Sequence, residues 1–331
     1  MSDVLDLLVV GAGPTGIAIG AEARRRGIGV LVMDRGPLTA AIQGYPTFME
    51  FFTTRDRLEI ADIPFTIPDD KPTRRQALAY YRLVTDRYQI PLALYEEVLE
   101  IRQEGEGFVI VSNRRELRAR AVAVATGYFG NPRCLGVPGE DLPWVSMRYK
   151  EAYPHYRQDV VIVGAGNTAA EAALDLWRNG ARVTLVHRGP HVKPGVKYWV
   201  KPDIENRIEE GSIAARFNSV VCAFRNDQDT GVEIQGPNGL ELVPAQAAYV
   251  LVGYTPEVDL MQRAGVRIDP ESLVPAYDPA TCESNVPGLY VAGTIQAGRR
   301  TDRIFIENSL DHGPLIVDHL VKRLAQVPAL T

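Results

Sequence analysis

Cysteine is scarce in this chain: Cys134, Cys222 and Cys282 are the three in 331 residues, far apart and without a Cys-x-x-Cys. That spacing excludes a disulfide framework and a local dithiol relay, and each thiol reads first as a small buried hydrophobe. The five histidines show no metal-ligand spacing with the cysteines, so no metal site is expected. No apolar run is long enough to cross a bilayer, and Asp3 and Asp6 stand where a signal peptide needs basic residues. A cytoplasmic protein is expected. An excess of positive charge is missing too: the net charge is −5, which disfavours a nucleic-acid partner. What remains, 46% hydrophobic and 23% charged, describes an ordinary globular protein of about two domains.

The chain is organised around Asp6-Leu-Leu-Val-Val-Gly-Ala-Gly-Pro-Thr-Gly, an apolar strand running into glycines and then into a helix. Gly11 permits a tight turn, Gly13 lets the backbone approach a pyrophosphate, and Gly16 allows close packing of the new helix; Ala12, Pro14 and Thr15 complete the turn. The free N–H groups and positive dipole end of that helix favour an anion without any basic side chain. Arg24, Arg25 and Arg26 suit the helix C-terminus, with Gly27 as its left-handed cap. The following strand, Val30 to Met33, ends at Asp34, placed to accept hydrogen bonds from ribose hydroxyls.

One Gly-x-Gly-x-x-Gly is weak evidence, but a second copy follows at a constant offset of 153 residues. Asp159-Val-Val-Ile-Val-Gly-Ala-Gly-Asn-Thr-Ala pairs Gly164 with Gly11, Gly166 with Gly13 and Gly180 with Gly27, and Ala169 replaces the third glycine. Asn167 and Thr168 open the second helix. The copies differ where chemistry should differ, because Asp34-Arg35 aligns with His187-Arg188. An acid there repels a 2′-phosphate, whereas Arg188 can bind one bidentately. His187, Lys193 and Lys197 add positive charge, although the two lysines read equally well as a solvated face.

Between and after these motifs the pattern is coarser. Residues 36–54 form an aromatic loop without period, in which Tyr45, Phe48, Phe51 and Phe52 are either a cofactor wall or core. Residues 73–88 have helical spacing. Strand signals at 93–101 and 107–112, separated by Glu104-Gly-Glu-Gly, imply a small antiparallel layer. The apolar stretch from Ala121 to Tyr128 is echoed at Ala247 to Tyr254, so the two halves end alike. A closing strand around 285–294 and a closing helix over 307–324, bent or restarted at Gly313-Pro314, complete the pattern. The expected fold is α/β, with two three-layer Rossmann-like domains, the first discontinuous (1–130 and 254–331) and the second (131–253) inserted.

Two nucleotide motifs, Ala125-Thr-Gly, Val252-Gly and Pro287-Gly-Leu-Tyr-Val-Ala-Gly together resemble the thioredoxin-reductase-like flavoproteins over essentially the whole chain. Within that superfamily, Tyr45-Pro-Thr, Ile60-Ala-Asp-Ile-Pro-Phe, Lys197-Tyr-Trp-Val-Lys-Pro-Asp and Ile304-Phe-Ile-Glu-Asn look most like the bacillithiol-disulfide reductase family. The resemblance implies FAD in the first site, NADPH in the second, and a homodimer. It also implies FAD contacts from Tyr45, Pro46, Val98, Ala125, Thr126, Gly127, Gly293 and Thr294. His312, Glu307 and Asp311 fall where the family places the flavin's pyrimidine end.

This chain departs from the family at two positions. Thr294 follows Gly293 where the superfamily usually has an acid, and Thr15 stands where the bacillithiol-linked members carry a cysteine. Threonine cannot form a mixed disulfide. What survives is hydride transfer from NADPH to FAD, with electrons passing on to a disulfide or to another small-molecule or small redox-protein acceptor. A flavin monooxygenase and a non-enzymatic redox-sensing flavoprotein are the competing readings. Against the first, Val145-Ser-Met-Arg-Tyr-Lys stands where a Phe-x-Gly-x-x-x-His signature belongs.

Overall fold

The computed structural model describes residues 4–226, 230–301 and 303–326, so Asp3 lies outside the described residues. They form two compact units. The first comprises Met1–Gln43, Met49–Asn131 and Thr255–Thr331, and the second Gly44–Phe48 and Pro132–Tyr254.

The first unit begins with β1 (Leu7–Val10), whose four apolar residues are all buried, then α1 (Pro14–Arg25) and β2 (Val30–Asp34). A four-residue turn of helix, α2 (Ala40–Gln43), and α3 (Arg74–Arg87) follow. Short β3 (Leu92–Leu94) leads to three antiparallel strands, β4 (Val98–Glu104), β5 (Gly107–Ser112) and β6 (Glu116–Ala119), and then to β7 (Val122–Val124).

The second unit repeats the scheme. It contains β8 (Val145–Ser146), β9 (Asp159–Val163), α4 (Asn167–Arg178), β10 (Arg182–Val186), α5 (Lys201–Glu209) and β11 (Ala214–Arg216). An antiparallel layer of β12 (Val220–Arg225), β13 (Gly231–Gly236) and β14 (Gly239–Pro244) precedes β15 (Ala247–Val250). The first unit is completed by α6 (Asp259–Arg263), β16 (Leu289–Val291) and α7 (His312–Gln326).

Each unit has a five-stranded parallel sheet, ordered β16-β7-β1-β2-β3 in the first and β11-β10-β9-β15-β8 in the second. The repeat is structural as well as textual, since the 153-residue offset maps α1 onto α4 end to end. Burial of the strands on both faces explains their unbroken Val, Leu and Ile content. In the first unit Leu8, Val10, Met33, Val122, Val124 and Leu289 share one core with Ile101 and Ile110 of the antiparallel layer. None of the described helices is long and apolar enough to cross a membrane.

Two boundaries differ from the sequence pattern. The strand expected over 93–101 is broken, because Tyr95 takes a left-handed backbone (φ 56°) and the chain turns before β4 begins at Val98. The break is held by long-range bonds. The Tyr95 and Glu96 N–H groups donate to the carbonyls of Gly36 (3.2 Å) and Asp34 (2.9 Å). The buried Glu96 carboxylate accepts from Ser112 Oγ (2.7 Å) and from Arg115 Nε and NH2 (2.9 and 3.1 Å). The closing helix also starts later than expected, at His312, and does not bend at Pro314. Pro314 sits in the first turn, where its missing N–H has no intrahelical acceptor to lose. Gly313 is needed for packing, since a Cβ there would stand 3.0 Å from the Ala18 backbone of α1.

Two outcomes are expected. A Cβ at Gly16 would overlap the Gly11 carbonyl, so Gly16→Ala should destabilise the protein by about 2 kcal/mol or more, read from denaturant unfolding. Burial works against ionisation of Glu96, yet Arg115 and Ser112 outweigh it and hold the carboxyl below the usual range. Its contribution to stability is therefore present above the unfolded glutamate value of about 4.3 and is lost as pH falls through the lower folded value. Glu96→Gln should be less stable than wild type at pH 7 and converge on it in acid; parallel pH profiles for the two would refute the assignment.

Candidate functional site: two dinucleotide turns

The first turn is built by backbone approach. Gly11 has φ 112°, and a Cβ there would lie 2.5 Å from the Ala125 carbonyl oxygen, so β1 and β7 close together only over glycine. Ala125 is buried, and its N–H donates to the Val10 carbonyl (2.8 Å). Gly13, in contrast, has nothing within 4 Å of the position a Cβ would take. Its open side is where a ligand backbone could come close. Gly13 is also the N-cap of α1 and supplies no side-chain hydrogen bond, and Pro14 follows at the first helical position.

The second turn has the same construction. Gly164 has φ 128° and its missing Cβ leaves room for the Leu251 carbonyl, while Gly166 faces open space and caps α4 without a side-chain bond. The contrast with α3 is informative, because there Thr73 and Gln76 form a full capping box. Two helices thus begin without a side-chain acceptor at the ends where sequence places a phosphate. First-turn N–H groups have no intrahelical partner, so an anion from outside fits. On these grounds the residues fit dinucleotides in both units.

Around the first turn, Asp34 accepts N–H bonds from Ala12 (2.7 Å) and Gly36 (2.8 Å), one at each carboxylate oxygen. It lines a cavity of about 580 Å³ with Gly11, Arg35, Val98, Thr126 and Gly127. Arg35 pairs with Glu257 (3.0 Å) and Glu97 (3.8 Å). Glu96, Glu97, Glu257, Asp259 and Arg263 also line this cavity. Sequence reasoning missed all five, and no local motif marks them. Tyr45 and Pro46 belong to Gly44–Phe48, which groups with the second unit, where Thr47 N–H donates to the Lys150 carbonyl (2.9 Å).

Thr15, Gly293, Thr294 and His312 are brought together from three parts of the first unit. Thr15 is buried, with Oγ1 3.0 Å from Ser309 Oγ, and a Cβ on Gly293 would stand 2.9 Å from the same Oγ1. Thr294 Oγ1 lies 3.2 Å from the missing Cβ of Gly127. The Gly293 N–H donates to His312 Nδ1 (3.0 Å), which places the imidazole proton on Nε2. Burial lowers the His312 pKa, Asp311 opposes the shift weakly, and the net effect keeps the ring neutral. Ser309 was not foreseen. Glu307 and Asp311 precede α7, and only His312 of the three has a bond into this cluster among those of the described residues.

Around the second turn, the segment after β10 folds back over the start of α4. The Gly164 N–H donates to Val186 O (2.9 Å), Lys193 N–H to Ala165 O (3.0 Å), and Lys197 N–H to Asn167 Oδ1 (2.9 Å). Thr168 is exposed and Ala169 buried in the first turn. Half-burial lowers the His187 pKa, and Lys193, Arg188 and His191 lower it further. His191 is the cation-forming residue of this arc that sequence alignment of the two motifs passed over. Glu171, one turn into α4, is raised to about 7 by burial, with Lys197 acting against the shift.

The three cysteines are all free: Cys134 is exposed, Cys222 half-buried, and Cys282 buried with its thiol pKa raised by that burial. Thr15, its bonded neighbour Ser309 and the adjacent Gly293 supply no thiol.

Comparison with known proteins agrees with this architecture. The pyridine nucleotide-disulphide oxidoreductase family profile matches residues 8–293. Bacilliredoxin reductase Bdr of Bacillus subtilis is 35% identical over 317 residues, covering 96% of this chain and 97% of that protein. The structure of bacillithiol disulfide reductase Bdr from Bacillus cereus superposes with TM-score 0.93 at 33% identity, over 97% of this chain and 100% of that one. The Staphylococcus aureus Bdr structure gives TM-score 0.91 at 33% identity, over 98% and 100%. The chain belongs to the pyridine nucleotide-disulphide oxidoreductase family, and with it to the FAD- and NADPH-dependent oxidoreductases.

Proposed function

We propose that this protein takes hydride from NADPH, held by the second unit, onto FAD, held by the first, and that electrons then leave without an enzyme mixed disulfide. The observation that carries the reading is the pair of matching uncapped turns that end differently, at Asp34 in one unit and at His187-Arg188 in the other. Asp34 accepts adenosine ribose hydroxyls, with Val98, Thr126 and Gly127 walling the same cavity. Gly11, Ala12, Gly13, Pro14, Thr15 and Gly16 carry the pyrophosphate. In the second unit Gly164, Gly166, Asn167, Thr168 and Ala169 do the same, and Arg188, His187, Lys193 and Lys197 meet the 2′-phosphate.

Bound FAD supplies the two-electron chemistry, and the chain supplies orientation and a fixed electrostatic setting. Thr15 and Ser309 hold the start of α7 against α1, and His312 offers a neutral ring with its proton on Nε2. The relatives named for bacilliredoxin and for bacillithiol disulfide support a thiol-linked acceptor, either a small disulfide or a small redox protein. A hydroxyl at position 15 has no redox chemistry to match a cysteine thiolate. Direct transfer from reduced flavin is the route left, in a cytoplasmic homodimer whose FAD domain is interrupted by an inserted NADPH domain near 131–253, with Gly44–Phe48 grouping with the insert.

Arg188→Ala should weaken NADPH binding by about 1.5–3 kcal/mol and NADH binding far less; equal losses, measured by flavin-reduction kinetics, would remove Arg188 from phosphate recognition. The triple variant Cys134→Ser, Cys222→Ser, Cys282→Ser should keep its FAD and its turnover with the preferred acceptor. Turnover lost while NADPH still reduces the flavin would place a cysteine in the electron path.

A further inference from the structure

The cationic arc of the second unit has a property that follows from its composition. His187 follows β10 at half-burial, and its ring folds over Gly189, where a Cβ would stand 2.8 Å from Nε2. The backbone around it is fixed on both sides. His187 N–H donates to Arg216 O (2.9 Å), Ser219 N–H to His187 O (3.0 Å), and Asn218 N–H to Gly189 O (2.9 Å). The same segment is tied to the glycine turn through Lys193 and Ala165 (3.0 Å). The charged groups facing the ring are Lys193, Arg188 and His191. From the neighbouring β11, Arg216 is already neutralised by Glu241 (2.9 Å), and the first turn of α4 offers uncharged Asn167 and Thr168.

The arc is therefore a set of like charges beside an open helix N-terminus, and the one carboxyl coupled to it, Glu171 one turn into α4, acts on Lys197 and is itself pushed up to about 7 by burial. In the free protein the cheapest relief is for His187 to stay neutral. A phosphate dianion placed within the arc inverts the local potential, and each cation then stabilises the site instead of burdening it. We propose that the second unit takes up a proton onto His187 as it binds a 2′-phosphate, with His191 contributing to the same response, so that selection of a phosphorylated adenosine is coupled to pH. This rests on the reading of that unit as the NADPH site and assigns two histidines as determinants of its selectivity. The balance is simple: one proton moves from solvent to the imidazole and no electrons are exchanged.

The sign follows from the direction of the shift. Because His187 titrates below its ordinary value when free and higher when a dianion is bound, binding is strengthened as pH falls toward the bound-state value. An adenosine nucleotide without the 2′-phosphate puts no dianion within the arc and should show no such dependence.

The test uses the FAD-loaded protein and 2′,5′-ADP, which carries the phosphate but cannot exchange hydride. Calorimetric titration at about pH 7, above the second phosphate pKa of about 6, is run in two buffers of different ionisation enthalpy. The enthalpies should differ in the sense of proton uptake, and should coincide for 5′-AMP. His187→Gln should abolish most of the uptake and His191→Gln part of it, whereas Glu171→Gln, which removes the other group titrating near pH 7, should retain it. In wild type, histidine NMR titration should show the His187 midpoint rising by about one pH unit or more on binding. Tight binding with buffer-independent enthalpy and an unmoved His187 midpoint would overturn the proton coupling while leaving the NADPH site intact. Failure of 2′,5′-ADP to bind would overturn both.

Discussion

The first unit depends on an approach of backbone to backbone that no side chain can share. At Gly11 the β1 strand passes against the Ala125 carbonyl, and at Gly16 the new helix passes against Gly11 itself. A methyl group at either point would force the strand and helix apart. Because they cannot be forced apart without losing the fold, α1 is held with no side-chain cap and with open space beside Gly13. An uncapped helix end is an unfavourable arrangement for a protein on its own. It becomes favourable when an anion supplies the missing acceptors, so the constraint that builds the fold also builds the site.

The second unit shows that the device is general and that its specificity is separable. Gly164 occupies the same relation to Leu251 that Gly11 has to Ala125, and the unit's helix spans the corresponding residues. Beyond Asn167 for Pro14 and Ala169 for Gly16, the turns match, and the charge changes at the end of the next strand. In the first unit a carboxylate is held by two backbone N–H groups, ready for hydroxyls; in the second an arc of cations surrounds a half-buried imidazole. Gene duplication within one chain would explain this pattern, with the phosphate-binding backbone retained and the electrostatics at one strand end exchanged.

The Thr15 cluster is where the family likeness and this chain's own chemistry meet. Similarity to the Bdr reductases covers nearly the whole chain, so the scaffold and cofactor sites are shared. Yet the residue that opens α1 beside Gly293 is a hydroxyl bonded to Ser309, and the nearby imidazole is held neutral by burial and by the Gly293 N–H. Such a cluster orders the elements around a cofactor without itself accepting electrons.

Local order was readable from the sequence because its causes are local. The strand-glycine-helix order, the position of Gly27 after α1, the helical spacing over 73–88 and the repeat at 153 residues arise from neighbours along the chain, which hydrophobic period and glycine spacing record. Asp34 and Arg188 were legible for the same reason, as strand ends following a recognised turn. The break at Tyr95 and Glu96 was not legible, since it is stabilised by Arg115, Ser112 and the Gly36 and Asp34 carbonyls, partners distant in sequence. Nor were the bonds of Thr15 to Ser309 and of Gly293 to His312, or the placing of His191 in the cationic arc. Sequence alone determined the nucleotide turns and the charge at the end of each following strand, whereas only the tertiary structure decided which side chains share a buried site and hence their protonation, because desolvation and long-range hydrogen bonds exist only once the chain has closed.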